Sequence, residues 1–368
     1  MPPTWSLLGL PIQTPSLEQT IGLLLQAVAN GERLFLSTPN VNFLATAYRN
    51  ESFYESLLAS DLSVVDGAPL VWLGRFLGLP IPERVAGASV LEKLTVASPA
   101  SAGNTACSYF FFGGECDAAQ RACSALSSQC SSSVGCAGYL NPGFGDIHSM
   151  STQAVLDTIN ASGADFLVVS LGAEKGQAWI MHNLAHLKPK VVSHLGAAVN
   201  FLAGDVKRAP RWLQTVGGEW LWRIKEQPAL IKRYWRDGLL LLKLMFTAVI
   251  PYALWLRRNR SYVDQPLRYS VTTASNEYVV QLVGSLSIHT IAALDELDFL
   301  QQPQSISLDL KHVTYIDTRG LGWLLELKRL ALKQDVQVTI RVCNANVCSI
   351  LSWNRMTDML AGNVADLL

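Results

Sequence analysis

Short apolar runs alternate with longer segments of helical spacing through the first two-thirds of this 368-residue chain, and this alternation most constrains its fold. Five runs rich in Val, Leu and Phe end in small or polar residues: LFLST, LSVVDG, SYFFFGG, DFLVVSLG and VVSHLG. The pattern predicts βαβ units, that is, a Rossmann-like α/β fold whose mainly parallel sheet has helices on both faces. The loops after the strands should then meet at the carboxyl edge of the sheet, where open α/β sheets place their active sites.

The run that ends at Asp66 supplies the leading candidate for chemistry. If 62–65 is a buried parallel strand, the Asp66 carboxylate stands at its carboxyl end, directly before Gly67. A carboxylate in this place can act as a general base, and we expect Asp66 to have that role. The alternative is an Asp-Gly turn that only reverses the chain.

Two neighbouring loops add polar side chains. Thr38, Asn40 and Asn42 follow the first strand-like run, where they either cap the next helix or contact a ligand. Arg84 comes from a further loop. We expect Thr38 to share the catalytic site with Asp66. We expect Asn40, Asn42, Gly67 and Arg84 to bind the substrates.

Two glycine-containing loops suit a nucleotide. Gly113 and Gly114 lead into a helical segment, and Gly172 does the same before Lys175. Backbone N–H groups at a helix start can receive a diphosphate, although Gly-Gly after a strand also makes an ordinary tight turn. Neither a Gly-x-Gly-x-x-Gly fingerprint nor a Walker pattern occurs, which argues against a nicotinamide enzyme and a P-loop hydrolase.

The chain has no Asp-x-Asp pair in its first 260 residues. Such a pair often holds a divalent metal on a nucleotide diphosphate, so in this chain helix N-termini, Lys and Arg would have to neutralise the charge of a bound diphosphate. We therefore expect catalysis without a metal or other cofactor. Lys plus Arg and Asp plus Glu both total 29, which argues against binding of nucleic acid or other polyanions.

Between about Leu8 and about Arg236 the chain resembles the WecG/TagA/CpsF glycosyltransferases, which build bacterial surface polysaccharides and wall teichoic acids. The resemblance rests on the order and spacing of seven runs: TPNVNFLATAYRN, DLSVVDGAPLVWLGRFLG, ERVAGAS, GYLNPGFG, LGAEKGQAWI, GAAVNFLAG and RAPRWLQTVGGEWLWRIKEQPALIKRY. It implies metal-independent transfer of a sugar from a nucleotide donor, which we expect to be a UDP-sugar, to a polyprenyl-diphosphate-linked acceptor. It also implies that Asp66 is the base.

The chain departs from the family pattern at several positions. The family motif Leu-Gly-x-Pro-Lys-Gln-Glu keeps its Lys as Lys175, but Gly176 and Gln177 replace the Gln-Glu pair. Ser89 and Asn200 stand where the family usually has acidic residues. These changes bear on donor specificity. They also support an alternative function, a catalytically decayed scaffold that recruits polysaccharide-assembly proteins through the end of the chain.

The chain becomes basic and aromatic from residue 208, and the apolar run 239–256 follows. Lys and Arg beside Trp and Tyr are typical of the headgroup region of a bilayer. The run is short for a crossing and contains Lys243 and Pro251, which favours a helix lying on the membrane, with burial against another domain as the alternative. The family resemblance implies that three arginines of this segment also lie near the diphosphate: Arg208, Arg223 and Arg233.

A second resemblance begins after a polar linker. Strand and helix patterns alternate from Leu267 to Leu368, and the loop IDTRGLG resembles that of STAS domains, the anti-sigma-factor antagonist and sulfate-transporter module. In switch members of that family the second hydroxyl of the loop takes a phosphate, and Arg319 holds that place here. We expect Asp317 and Thr318 to cap the following helix, and the domain to bind a protein partner, or itself, constitutively.

These patterns divide the chain into a transferase domain (1–236), a membrane-associating segment with linker (237–262) and a smaller α/β STAS-like domain (263–368). The start of the chain lacks the basic stretch and apolar core of a secretory signal, so we expect a cytoplasmic protein on the inner face of the inner membrane. Seven cysteines lack zinc-ligand spacing, and we expect free thiols.

Overall fold

A computed structural model describes residues 1–96, 107–114, 117–128, 134–196, 198–204, 209–210, 213, 217–274, 277–294 and 305–359. The strands of these residues are β1 (Trp5–Leu7), β2 (Leu10–Ile12), β3 (Leu34–Ser37), β4 (Leu62–Ser63), β5 (Cys107–Gly113), β6 (Val134–Leu140), β7 (Phe166–Ser170), β8 (Val191–His194), β9 (Arg268–Ala274), β10 (Glu277–Leu286), β11 (Ser305–Ile316) and β12 (Gln337–Cys343).

The α-helices are α1 (Leu17–Asn30), α2 (Val41–Ala47), α3 (Glu51–Ala59), α4 (Ala68–Phe76), α5 (Gly87–Val96), α6 (Ala118–Ser128), α7 (Gln153–Ala161), α8 (Ala173–Asn183), α9 (Ala198–Leu202), α10 (Glu219–Glu226), α11 (Ile231–Leu244), α12 (Ile250–Arg258), α13 (Thr318–Gln334) and α14 (Ala345–Trp353). A short π-helical stretch, Met245–Val249, joins α11 to α12.

The chain forms two compact units, and each is discontinuous in sequence. The first contains Met1, Pro15–Val71 and Ile81–Gly238. The second contains Pro2–Thr14, Trp72–Pro80 and Leu239–Leu368. The sequence predicted domain boundaries at 236 and 262. It did not predict that Pro2–Thr14 and Trp72–Pro80 group with the end of the chain.

The first unit is built on a six-stranded sheet in the order β4-β3-β8-β7-β5-β6, in which every pairing is parallel. Successive side chains alternate between two buried clusters: on β5, Tyr109 and Phe111 belong to one, and Phe110 and Phe112 to the other. Helices α1, α5, α6 and α9 complete the first cluster, and α7 and α8 the second. Burial on both faces explains the unbroken apolar runs and confirms the predicted fold.

Two details differ from the sequence-based expectations. The strand before Asp66 is only Leu62–Ser63, although Val64 and Val65 are buried. Strand β6 was not predicted, because the run VGCAGYL has small residues instead of the branched and aromatic ones that mark strands.

The expectation of free thiols is wrong for four cysteines. Cys123 of α6 is bonded to Cys136 of β6, and Cys343 is bonded to Cys348. The paired Cα atoms are 5.3 and 6.0 Å apart, within the usual range for a disulfide, because helix and strand pack side by side. Cys107 is buried and is not in a disulfide, and burial raises the pKa of its thiol to about 11.

The second unit contains a four-stranded sheet in the order β12-β11-β10-β9. The pairs β10–β11 and β11–β12 are parallel, and β9–β10 is antiparallel. Asp317 is the N-cap of α13, where its Oδ1 accepts hydrogen bonds from the backbone N–H groups of Arg319 and Gly320, both at 2.9 Å. This confirms the predicted capping role of Asp317. Thr318 is buried.

Strands β1 and β2 form an antiparallel hairpin in the same unit, which the sequence did not predict. Its turn residues Leu8 and Gly9 both have positive φ, 54° and 83°, as a two-residue hairpin turn requires. Every residue from Thr4 to Gln13 is buried.

Candidate active site

Asp66 lies at the carboxyl edge of the six-stranded sheet, in the loop after β4. Two backbone hydrogen bonds fix this loop to the loop after β3: Val64 N–H donates to Ser37 O at 3.0 Å, and Asp66 N–H donates to Pro39 O at 2.9 Å. The Asp66 carboxylate itself accepts one long hydrogen bond, 3.4 Å, from the N–H of Gly87. In the part of the chain that the structure describes, no other hydrogen bond to this carboxylate is formed.

Two glycines bring the Asp66 loop against the loop after β3. A Cβ at Gly87 would lie 3.4 Å from the Thr38 Oγ1, and a Cβ at Gly67 would lie 3.3 Å from the Asn40 Cβ. Thr38 is buried beside the same Gly87 whose N–H contacts Asp66. The predicted residues Thr38, Asn40, Asp66 and Gly67 therefore lie together.

Asn40 is the N-cap of α2. Its Oδ1 accepts hydrogen bonds from the N–H groups of Asn42, at 3.0 Å, and Phe43, at 3.2 Å. Of the two roles that the sequence allowed, the structure gives the Asn40 oxygen the capping role.

Two arginines face Asp66. Arg84 Nη1 pairs with Glu219 Oε2 at 2.7 Å, and Arg223 follows Glu219 by one turn on α10. Burial raises the pKa of Asp66 above its usual value. The charges of Arg84 and Arg223 and the Gly87 N–H oppose this rise, and the Glu219 carboxylate adds to it. The pKa of the carboxylate is thus moved toward the range of a working base.

A cavity of about 690 Å³ lies beside α2, α3 and the start of α8. Its lining residues carry three cations and two anions: Arg49, Lys175 and Arg236, with Glu51 and Glu174. Asn42 and Gly172 also line it, so three of the predicted binding residues meet there.

The side chains of this cavity are held by further polar contacts. Lys175 Nζ donates to Gly145 O at 2.8 Å, and Asn42 Nδ2 donates to Asp237 Oδ2 at 3.0 Å. Asp237 is buried and also lies 3.5 Å from Arg49 Nη2. Asp237 therefore fixes both Asn42 and Arg49 on the cavity wall.

Gly113 and Gly114 form a tight turn after β5. Their φ values are +86° and +100°, and the Gly114 N–H donates to Ser170 O at 2.7 Å. A Cβ at Gly113 would lie 2.7 Å from Leu171 Cδ2. Because one of the two N–H groups is used within the fold, this geometry supports the tight-turn alternative, and neither glycine lines the cavity.

The remaining predicted arginines are less informative. Arg208 lies outside the described residues. Arg233 lies over the ring of Tyr234, with its Cζ 5.6 Å from the ring centroid, and no contact among the described residues joins it to Asp66 or the cavity. The described residues also contain no group of three or more His, Cys, Asp or Glu side chains placed to hold a metal.

The departure at Gly176 has a structural explanation. A Cβ at this position would overlap the ring of His194, whose Nε2 lies 2.6 Å from Leu171 O. A carbonyl only accepts, so Nε2 carries the proton, and burial lowers the His194 pKa and keeps the ring neutral. The neighbouring Gln177 is buried and donates to Ser37 Oγ at 3.0 Å.

Sequence reasoning missed Glu219, Arg49 and Asp237. Arg49 ends the family run TAYRN and Glu219 lies in GGEWLWR, so both stood within quoted motifs. Only the fold reveals that these charges pair across more than a hundred residues.

The parallel sheet with polar loops at its carboxyl edge defines the first unit as a Rossmann-like α/β fold, and the second carries a smaller sheet of its own. The model of the glycosyl transferase WecG/TagA/CpsF family matches residues 5–253, and that described as "Mlab, STAS domain" matches 269–361. The chain therefore belongs to the WecG/TagA/CpsF family of glycosyltransferases and carries a STAS domain, as the sequence predicted.

The chain is also similar to a curated protein of Bacillus subtilis (strain 168). That protein is the N-acetylglucosaminyldiphosphoundecaprenol N-acetyl-beta-D-mannosaminyltransferase. The two are 28% identical over 202 residues, which cover 54% of this chain and 73% of the relative.

Proposed function

We propose that this glycosyltransferase moves a sugar from a UDP-sugar to a polyprenyl-diphosphate-linked saccharide in the synthesis of a bacterial surface polysaccharide. The observation that carries the proposal is the position of Asp66, a carboxylate at the carboxyl edge of the sheet whose pKa is raised by burial and lowered by the charges of Arg84 and Arg223. The name of the Bacillus subtilis relative supports a lipid-linked diphosphate acceptor and an N-acetylhexosaminyl donor.

In the proposed reaction, an acceptor hydroxyl attacks the anomeric carbon of the donor. Its oxygen forms the new glycosidic bond, the bond from that carbon to the nucleoside diphosphate breaks, and Asp66 takes the hydroxyl proton. The diphosphate leaves with its negative charge. Arg84, Arg223 and Lys175 are the cations that would stabilise this charge, with the backbone N–H groups at the start of α8.

The donor can be identified by isothermal titration calorimetry. We expect the full chain to bind a UDP-sugar more tightly than its GDP counterpart across a panel that includes UDP-N-acetylmannosamine, UDP-N-acetylglucosamine, UDP-glucose and GDP-mannose. Failure of every sugar nucleotide to bind would favour the alternative function, a decayed scaffold that recruits assembly proteins through its STAS domain.

Metal independence follows from the proposed use of cations and helix ends on the diphosphate. Turnover should persist in excess chelator. Loss of turnover in chelator, with recovery on addition of magnesium or manganese, would contradict this part of the proposal.

We propose that the enzyme lies on the cytoplasmic face of the inner membrane. One helical stretch among the described residues, Pro228–Arg258, is long and apolar enough to cross a bilayer, with mean hydropathy 2.0 over its most apolar window. Leu239, Leu242 and Phe246 are 52, 55 and 65% exposed, and their spacing puts them on one face. Exposed Lys243 lies among them, which suits a helix on an anionic surface.

Substitution on this exposed face tests the membrane proposal better than deletion, because Val249 and Tyr252 further along are buried. Leu242→Gln with Phe246→Gln should weaken binding to anionic vesicles by about tenfold or more. The matched control is Leu332→Gln, a 50% exposed leucine on α13, which should leave binding unchanged. Equal binding of all three proteins, or binding that ignores salt, would contradict the proposal.

A further inference from the structure

The amino-terminal hairpin is hydrogen-bonded to helix α13 within the second unit. Thr4 N–H donates to Glu326 Oε1 at 3.0 Å, and Arg319 Nη1 donates to Thr4 O at 3.0 Å. Arg319 and Glu326 also pair with each other at 3.4 Å. Two side chains of one helix therefore satisfy both backbone groups of Thr4.

Glycines permit this close approach at both ends of the hairpin. A Cβ at Gly322 of α13 would overlap the Thr4 carbonyl and lie 2.8 Å from Trp5 Cα. A Cβ at Gly9, in the hairpin turn, would overlap Asn354 O just after α14. The hairpin thus lies against the STAS domain at its first strand and at its turn.

The contact lies at the first turns of α13, where the side chains are little exposed. Thr318 is 2% exposed, and the Arg319 side chain is 12% exposed even though it carries a charge. Arginine is rarely this buried unless its donors are paired, and here Thr4 O and Glu326 accept from it.

We propose that this face of the STAS domain is an intramolecular docking surface, whose occupant is the hairpin Trp5–Ile12 of the same chain and whose latch is Arg319. The segment Asp317–Gly322, which is the N-cap and first residues of α13, is then closed to phosphorylation and to an outside protein by the chain itself. The proposal gives a structural role to Arg319. Switch members of the STAS family carry a hydroxyl residue at this position.

Chemical labelling of the full chain tests whether the face is covered. With phenylglyoxal and peptide mapping, Arg319 should react at least about tenfold more slowly than Arg341, an exposed arginine of β12 in the same domain. Equal reaction rates would overturn the proposal.

Gly322→Ala separates hairpin docking from simple helix stability. Alanine in place of an interior helical glycine normally stabilises the helix, but here the new Cβ would push the hairpin away. We expect hydrogen exchange of the Trp5–Ile12 amides to accelerate by about tenfold and Arg319 to become reactive. The control is Gly22→Ala on α1, where a Cβ meets nothing within 4 Å and where neither change should occur.

Arg319→Gln provides the same test if Gly322→Ala does not fold. It removes the guanidinium from Thr4 O without adding bulk, so exchange in the hairpin should again accelerate. Arg341→Gln is its control and should have no effect. Unchanged hairpin exchange in Arg319→Gln would show that Arg319 is not the latch.

Discussion

Asp66 and Asp317 occupy similar places in the two units, since each follows a strand that has parallel partners and precedes a helix, and burial raises the pKa of each. Their hydrogen bonds differ. Asp317 accepts three backbone hydrogen bonds, from Arg319, Gly320 and Ile288, all at 2.9 Å. Among the described residues, Asp66 accepts one, at 3.4 Å, from Gly87.

The comparison teaches that the position of an aspartate at a strand end does not decide its role. The oxygens of Asp317 are used to satisfy backbone N–H groups that a helix start leaves open. The oxygens of Asp66 accept only a long hydrogen bond from Gly87 among the described residues, and the charges of Arg84 and Arg223 lower the pKa of the carboxyl. Asp317 is therefore a structural residue, and Asp66 is the one that we propose for proton transfer.

The largest effect is expected for Asp66→Asn, a single substitution that separates the proposed role in proton transfer from a structural role. Asp66→Asn should lower kcat by about 10²-fold or more with little change in donor affinity, because the amide has nearly the same shape but cannot take a proton. The fold should persist, because the raised pKa of Asp66 means that its ionised form is the less favourable one in the folded state, and asparagine carries no charge. Sugar transfer by the purified variant checks this, and parental activity would remove Asp66 from the mechanism.

The charges around Asp66 should move its pKa in opposite directions. Arg84→Gln removes a cation that lowers the pKa, so the acidic limb of kcat/KM should shift to higher pH, with a loss of about tenfold in kcat/KM. Glu219→Gln removes an anion that raises the pKa, so the same limb should shift to lower pH.

The pH profiles of kcat/KM for the two variants and the parent give the measurement. The base works only when ionised, so the rate rises with pH through its pKa. Shifts of the same sign in both variants would contradict the assignment of that limb to Asp66.

Asp317→Ala should affect stability and leave chemistry unchanged. Loss of an N-cap costs about 0.5–2 kcal/mol of unfolding free energy, and the N–H of Ile288 also loses its acceptor. Urea unfolding and specific activity of the folded fraction check this. A large loss of activity in folded protein would mean that Asp317 has more than a capping role.

The smallest effect is expected for Asp317→Asn, which is the same type of substitution as Asp66→Asn. Asparagine keeps one oxygen for the N–H groups of Arg319 and Gly320 but offers no acceptor to the N–H of Ile288, so the unfolding free energy should fall by less than in Asp317→Ala, by about 0.5–1 kcal/mol. The raised pKa of Asp317 means that its ionised form is the less favourable one in the folded state.

The sign of this last effect depends on pH. Any gain from the neutral asparagine should be present at neutral pH and vanish as the pH falls through the Asp317 pKa, where the parental carboxyl is also neutral. Thermal melts of both proteins across that range provide the measurement, and a gain that grows in acid would contradict the shift.

Much of the first unit could be predicted from its sequence. Strands such as Cys107–Gly113 and Phe166–Ser170 are buried on both faces, so their apolar runs are long and clear. The hairpin Trp5–Ile12 could not be predicted, because three-residue strands with a proline in one of them resemble a loop. Its stability comes from contacts with residues more than three hundred positions away, which no local pattern records.

The candidate site also has a part that could be predicted from the sequence and a part that could not. The cluster of Thr38, Asn40 and Asp66 follows from the rule that parallel strands end at one edge, so the sequence could predict it. The Arg84–Glu219 pair and the Asp237 contacts depend on how distant loops fold back, and sequence spacing carries no such information.

The hairpin that lies against α13 also imposes an order on biosynthesis. Residues 5–12 are made before α13, which contacts them and follows about three hundred residues later in the chain. At roughly 5–20 residues per second, this apolar segment waits about 15–60 s for its place in the fold. During synthesis this apolar segment therefore stays without its partner helix, and we expect a chaperone that binds exposed apolar segments to have most to protect there.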